Sequence, residues 1–328
     1  MTRLSSKAPL GIRRSPYQRP GKWRVGLAIV GVLAATAVVN HRLAKRAEQR
    51  NPPVGRFIDV KGVRLHYLER GEGPPLVLLH GNGSMIQDFV SSGLVDMAAR
   101  QHRVIVFDRP GYGHSTRPRG RVWSPEAQAD LLREALDRLG VPQAVILGHS
   151  WGASVAVAMA LNHPQMVRGL VLASGYYYPT ARVDMALLSG PAVPLIGDVS
   201  RYTIAPIVSR LVWPLLLRKI FGPAPVPAKF KGFPEEMAVR PSQIHAEAAE
   251  SALLIPAAAE MCKDYTALTM PVAIVVGAED RLIDHDAQSR RLHQAIAQSS
   301  FHLVQGSGHM VHQTSPEAVM EAIYAARG

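Results

Sequence analysis

A single cysteine, Cys262, occurs in 328 residues. No intrachain disulfide can form, and a chain without disulfides survives on either side of a membrane, so the compartment stays open. Charge is also sparse. Asp, Glu, Lys and Arg make up 19% of the chain against 47% hydrophobic residues, the balance of a globular protein and not of a disordered one. The length suffices for one large α/β domain or two small ones with a substantial core. Internal repeats and low-complexity tracts are missing. Acid is missing locally: residues 1–50 hold eleven Lys and Arg and one acid, Glu48, whereas the remainder holds 26 basic and 24 acidic residues. The net charge of +12 therefore belongs to the N-terminal segment. The nearly neutral remainder excludes a nucleic-acid face.

Long apolar runs are scarce too, with one exception. "VGLAIVGVLAATAVV" (25–39) carries no charge. Arg3, Lys7, Arg13, Arg14, Arg19, Lys22 and Arg24 precede it, and Arg42, Lys45, Arg46 and Arg50 follow. With its edges at Trp23 and Asn40, the run is long enough for a thin or tilted span. Three readings stay open: an uncleaved anchor, an export signal cut near Ala35-Thr36-Ala37, and a surface-bound helix. Pro16 spoils Arg13-Arg14 as a twin-arginine signal. The more basic flank precedes the run, which places the N-terminus in the cytoplasm and residues 50–328 outside it.

Residues 51–55, "NPPVG", read as a linker. "RFIDVKGVRLHYLERG" is a hairpin pattern around Lys61-Gly62. Buried strands are expected at 75–81, 103–108, 144–148, 169–174, 271–277 and 301–306. Helices are expected at 124–140, with Ser124 as N-cap, at 151–163, and at 315–327 as the closing element. Apolar β-branched runs alternating with helices imply a mostly parallel sheet covered on both faces. From 176 to 266 the alternation stops and apolar, proline-containing helical stretches such as 204–222 take over. This segment reads as a helical cap inserted into a core formed by 51–175 and 267–328. Trp213 and leucines 215–217 are expected in the cap's own core, although a cap that touches the membrane is a second reading.

Ligand sites in such sheets collect at the carboxyl ends of the strands. Ser150 in "LGHSWGA" follows one strand, Asp280 in "GAEDRLI" another, and His309 in "GSGHMVH" a third. A serine hydroxyl needs a base to take its proton, and a histidine base needs a carboxylate to hold its tautomer. Gly-x-Ser-x-Gly by itself arises by chance in roughly one chain of this length in ten. The order Ser, Asp, His at strand ends is what gives it weight, since it matches the nucleophile-elbow template. The elbow's glycines avoid clashes in a strained turn. Oxyanion donors are expected from the backbone of Trp151 and of Asn82 in "HGNG", with Gly83 the alternative to Asn82.

Residues 56–328 resemble the α/β-hydrolase fold superfamily, in the branch with a helical cap. The resemblance rests on "LLHGNG", "VIVFDRPGYGHS", "LGHSWGA", "PVAIVVGAEDRLI" and "GSGHMVH" in the family's order. It implies a Ser-His-Asp triad, a covalent acyl-enzyme and no cofactor, and it fits esterases, C–C hydrolases and cofactor-free perhydrolases alike. Dehalogenases and epoxide hydrolases of this fold carry Asp at the elbow, where this chain has Ser150. Asn82 resembles the halide-holding Asn of some dehalogenases, but without that Asp a backbone role is expected.

Each residue has a plainer reading. Ser150 can be a turn serine. His312, His302, His285 and His293 read as surface or packing histidines, and Asp284 and Asp286 as solvated or capping acids. Asp108 reads as a turn brace. Trp151 and Tyr176 either line the pocket or merely pack. Together these residues point to a serine hydrolase acting on a small, largely apolar acyl ester with water, membrane-associated through its N-terminal helix and using no metal. Rivals on the same triad are a perhydrolase or haloperoxidase and an acyltransferase. From another class, the rival is a slow-turnover binding or sensing protein.

Overall fold

The computed structural model describes residues 22–182 and 188–327. Five of the basic residues before the apolar run (Arg3, Lys7, Arg13, Arg14 and Arg19) and part of the expected cap (183–187) lie outside the described residues. The strands are β1 (Arg56–Val60), β2 (Val63–Arg70), β3 (Pro75–Leu79), β4 (Arg103–Phe107), β5 (Ala144–His149), β6 (Val167–Ala173), β7 (Val272–Gly277) and β8 (Ser299–Val304). They form one sheet in the order β1-β2-β4-β3-β5-β6-β7-β8. The Lys61-Gly62 hairpin pairs β1 with β2, and β2 runs antiparallel to β4. Every later pairing, from β4-β3 through β7-β8, is parallel.

The apolar runs explain the layers. Leu76 and Leu78 of β3 enter one core cluster, while Val77 and Leu79 enter the other. Strands buried on both faces need helices on both faces. The chain begins with α1 (Lys22–Arg50). Helices α2 (Ile86–Ser92) and α3 (Leu94–Ala98) cover one face, with a late helix described below. Helices α4 (Pro125–Arg138) and α5 (Trp151–Asn162) cover the other. Ser124 caps α4 by accepting the Ala127 N–H at 3.3 Å, as its position before Pro125 requires.

Between β6 and β7 the described chain is helical: α6 (Ile196–Tyr202), α7 (Ala205–Phe221), α8 (Glu235–Ala238) and α9 (Pro241–Met261). The chain then adds α10 (Arg291–Ala295), α11 (Val311–Thr314) and α12 (Pro316–Ala325), the last completing the first helical layer. The closing helix expected at 315–327 is present as α12, and α11 is a separate turn before it. Ser315 (φ −143°, ψ 61°) separates the two, and Pro316 starts α12, where its missing N–H costs nothing.

Two expectations need correction. Leu215 and Leu216 are not cap core: Leu215 is 63% exposed and Leu216 is exposed as well. The apolar run is also part of a longer helix. Trp23, Leu27, Ile29, Val30, Val38 and Val39 of α1 are exposed, whereas Asn40 and Ala47 are buried against the insertion. The Asn40 amide donates to the carbonyls of Tyr202 (3.0 Å) and Thr203 (2.8 Å), and Arg240 pairs with Glu48 at 2.9 Å. By length and composition, α1 alone among the described helices is apolar enough to cross a membrane.

Candidate active site

Ser150 sits between β5 and α5 at φ 54°, ψ −120°, a left-handed conformation that a serine adopts only under constraint. Its N–H donates to the Ala173 carbonyl at 2.9 Å. The flanking glycines make the turn possible by close approach. A Cβ on Gly148 would stand 2.2 Å from the Gly152 carbonyl oxygen, and one on Gly152 would stand 2.1 Å from that of Leu79. A side chain at 148 would push β5 away from the start of α5, and one at 152 would push the elbow off the end of β3.

The loops after β7 and β8 bring Asp280 to His309, with Nδ1 of the histidine 2.8 Å from Oδ2. The other oxygen, Oδ1, accepts the N–H groups of Leu282 (2.8 Å) and Ile283 (3.0 Å). Burial opposes ionisation of Asp280. The facing His309 and these hydrogen bonds outweigh it and hold the carboxyl below its usual range. An ionised Asp280 makes Nδ1 the protonated nitrogen of His309 and leaves Nε2 as the base. Ser150 and His309 line one cavity of about 430 Å³, together with Trp151 and Tyr176. Asp284 spends its Oδ1 on the N–H groups of Asp286 and Ala287 and stays outside this cavity.

The loop after β3 forms the opposite wall. The Asn82 side chain is fully engaged: Nδ2 donates to Glu247 O (3.2 Å) and Ser251 Oγ (3.1 Å), and Oδ1 accepts from Gly83 N (3.1 Å) and Tyr112 OH (2.5 Å). The side chain therefore faces α9, and the Gly83 N–H is already occupied. Trp151 is the first residue of α5, so its N–H has no acceptor within the helix.

A buried network that sequence reasoning missed holds this loop. Arg109 donates from Nε to His80 O (2.8 Å), from Nη2 to Gly81 O (2.9 Å), and from Nη1 to Gln128 (2.9 Å). It also pairs with both oxygens of Glu250 on α9, at 2.5 and 3.0 Å, and both side chains are fully buried. Tyr112 OH lies 2.7 Å from Glu250 Oε2 as well as 2.5 Å from Asn82 Oδ1, so its single proton is shared between the two acceptors. His80 is a neutral strut. Its Nδ1 donates to Gly81 O at 2.8 Å, and Nε2 accepts the Arg109 N–H at 3.0 Å. Burial and the adjacent Arg109 push its pKa down to about 4. Arg109 lies in the quoted "DRPGYG" stretch, and Glu250 is an acid inside an apolar helix; those were the available signals.

Asp108 braces turns, as expected: Oδ1 accepts from Ile86 N (2.9 Å), and Oδ2 accepts from His114 N (2.9 Å) and lies 2.6 Å from His66 Nδ1. Among the described residues, one trio has ligand atoms close enough for a cation. Asp88, His149 and His312 are buried, with those atoms within 4.8 Å of one another. Asp88 spends its charge locally, with His312 Nε2 at 3.0 Å, Ser84 Oγ at 2.9 Å and Gln313 Nε2 at 2.9 Å. His149 Nε2 donates to the His309 carbonyl at 3.1 Å. The trio ties α2 and α11 together behind the His309 loop.

This geometry coincides with a family match. The model for the alpha/beta hydrolase fold matches residues 74–316. The chain belongs to the α/β-hydrolase superfamily. The 2-hydroxymuconate semialdehyde hydrolase of Pseudomonas sp. (strain CF600) is 35% identical over 136 residues, covering 40% of this chain and 48% of the relative. The chain thus aligns with about half the length of that relative. The 2-hydroxy-6-oxo-2,4-heptadienoate hydrolase of Pseudomonas putida is 27% identical over 267 residues, covering 80% of this chain and 91% of the relative. Among solved structures, a membrane phospholipase A described as a bacterial virulence factor superposes with a TM-score of 0.67. It is 22% identical and covers 94% of this chain and 99% of its own. At that identity the likeness speaks for the fold alone.

Proposed function

We propose that this protein is a membrane-anchored serine hydrolase that cleaves an acyl ester with a largely apolar acyl chain. The observation that carries the reading is the convergence of Ser150, at its left-handed elbow, and the His309–Asp280 pair on one cavity. Ser150 Oγ attacks the carbonyl carbon while His309 Nε2 takes its proton, and Asp280 stabilises the imidazolium. The oxyanion is held by the backbone N–H groups of Trp151 and Asn82; Gly83 drops out because its N–H is already spent on Asn82 Oδ1. His309 returns the proton to the departing alcohol. It then takes one from water, which cleaves the acyl-enzyme and regenerates Ser150. No cofactor or metal enters the scheme.

The insertion at 176–266 acts as the cap over the core of 51–175 and 267–328. It supplies Val212, Trp213, Leu216 and Ile220 as apolar walls, with Trp151 and Tyr176 beside the nucleophile. The membrane reading draws support from α1, whose exposed run ends where Asn40 locks onto the cap. The basic flank supports a position of the catalytic residues on the non-cytoplasmic side. The test uses the full chain in detergent, with a fluorophosphonate probe and p-nitrophenyl esters of rising acyl length. Labelling and turnover by the native protein, both lost in Ser150→Ala, are expected. A folded protein that takes no label overturns the reading and favours a binding protein. Product that requires peroxide, or an alcohol acceptor, favours the perhydrolase or the acyltransferase.

A further inference from the structure

Helix α9 presents four polar side chains at helical spacing toward the core and the cavity: Gln243, Glu247, Glu250 and Ser251. Residues at i, i+4, i+7 and i+8 share one face. Three of the four are matched. Gln243 Oε1 accepts the Gly113 N–H at 3.1 Å and its amide reaches the carbonyls of Gly83 and Ser84. Glu250 is taken by Arg109, Gln128 and Tyr112. Ser251 Oγ donates to Glu247 O at 2.8 Å. The Glu247 carboxylate is the exception: among the described residues, no side chain or backbone group hydrogen-bonds to it.

Its position is fixed nevertheless. The Asn82 amide grips the Glu247 carbonyl, so the oxyanion loop and this turn of α9 move as one piece. The carboxyl lies over Gly83, where a Cβ would stand 3.5 Å from Oε1. It lines the same cavity as Ser150 and His309. Burial, with Glu250 adding repulsion, pushes its pKa up to about 7. A carboxyl that no described protein group hydrogen-bonds, in a cavity whose lining is mostly apolar, is costly to keep, and such groups concentrate where a ligand completes them.

We propose that Glu247 forms a polar subsite beside the oxyanion loop, selecting esters whose alcohol part carries a hydrogen-bond donor, a hydroxyl or an ammonium. In either protonation state a carboxyl oxygen accepts, so a donor on the occupant is matched throughout, whereas an acceptor is matched only by the protonated form. The acyl chain then lies along α7 and the alcohol part turns to α9. A site built around a substrate donor rejects the analogue lacking it far more strongly than an apolar pocket rejects one methylene. This subsite rests on the serine-hydrolase reading above.

The experiment compares 2-hydroxyethyl octanoate with propyl octanoate, which replaces the hydroxyl with a methyl group at nearly constant size. The full-length protein, Glu247→Gln and Glu247→Leu are each labelled with fluorophosphonate to count competent sites. The native protein is expected to prefer the hydroxyethyl ester by about tenfold or more in kcat/KM. Glu247→Leu should bring the ratio below about twofold, and Glu247→Gln, which keeps an acceptor oxygen, should restore most of it. A structural fault would slow both esters alike and leave the ratio standing. A native ratio near one, or a ratio that survives Glu247→Leu, overturns the subsite while leaving the hydrolase intact. Absence of both labelling and turnover in the native protein overturns the hydrolase reading, and the subsite with it.

Discussion

The cavity wall built by the sheet and the wall built by the insertion treat polar groups in opposite ways. On the sheet side three buried carboxylates are all answered within the core: Asp280 by His309 and two N–H groups, Asp108 by His66 and two N–H groups, and Asp88 by Ser84, Gln313 and His312. On the insertion side, Glu250 is matched only by residues of the core, and Glu247 by none. Helix α7 leaves Leu211 and Leu215 in solvent. In its buried carboxylates the sheet side is self-sufficient. The insertion becomes complete only against something else: the core, a substrate or a bilayer.

Breaking the self-sufficient side should give the largest effects. Ser150→Ala should abolish fluorophosphonate labelling and lower kcat by roughly 10⁵-fold. Residual activity within tenfold of the native protein would assign the nucleophile elsewhere. Asp280→Asn keeps the shape but reverses the hydrogen bond to His309 Nδ1, which favours the wrong tautomer. A fall of about 10³ to 10⁴-fold in kcat, with a folded protein by circular dichroism, is expected.

The join between the two walls is Arg109–Glu250. A buried ion pair adds little over apolar residues of the same volume, but removing one partner strands the other. Glu250→Gln leaves the fully buried Arg109 without its counter-charge. It should cost about 3–5 kcal/mol, while Arg109→Met with Glu250→Leu should recover much of that loss. Urea unfolding of the three forms measures this. Equal losses in the single and the double variants would mean that the pair does not bind the insertion to the oxyanion loop.

His80 carries a pH dependence with a definite sign. Its folded pKa, about 4, lies below the ordinary value of 6.5 because burial and Arg109 favour the neutral ring. Its contribution is therefore whole above about pH 6.5 and is lost as pH falls toward 4. The full loss is about 3 kcal/mol. His149, held low by burial and by His312 and His309, adds to the same slope. Unfolding free energies between pH 7.5 and 4.5 should fall less steeply in His80→Asn than in the native chain. Parallel curves would remove His80 as the strut.

The same contrast decides what the sequence disclosed. Strand runs such as 75–79, 144–149 and 272–277 are buried on both faces, so their apolar continuity is visible; Ser150 follows β5, Asp280 follows β7, and His309 follows the half-buried edge strand β8. Glycines 148 and 152 mark the elbow because local sterics demand them. Glu250 and Arg109 are 141 residues apart in the chain, and nothing local announces the pair. Leu215 and Leu216 misled for a related reason, whereas Trp213 and Leu217 do pack as expected. An apolar helix reads as core whether its partner is protein or lipid, and periodicity does not name the partner.

The smallest expected effect concerns that partner. Ile207, Val208, Leu211 and Leu215 of α7 are exposed. Arg210 of the same helix reaches Asn40 Oδ1 at 3.4 Å, where the exposed run of α1 ends. The outer face of α7 therefore lies near the membrane surface if α1 spans, while its inner residues Val212 and Leu216 line the cavity. Leu211→Asp with Leu215→Asp places two charges on the outer face. An interfacial penalty of about 1.4 kcal/mol is a tenfold effect, so hydrolysis of a long-chain ester embedded in vesicles should fall by about tenfold or less. Hydrolysis of a short-chain soluble ester, which never meets a bilayer, should stay within about twofold. Equal losses on both substrates would show that α7 serves only to cover the cavity. No loss on vesicles would show that α1 alone presents the enzyme to its substrate, and the exposed leucines would then need another partner.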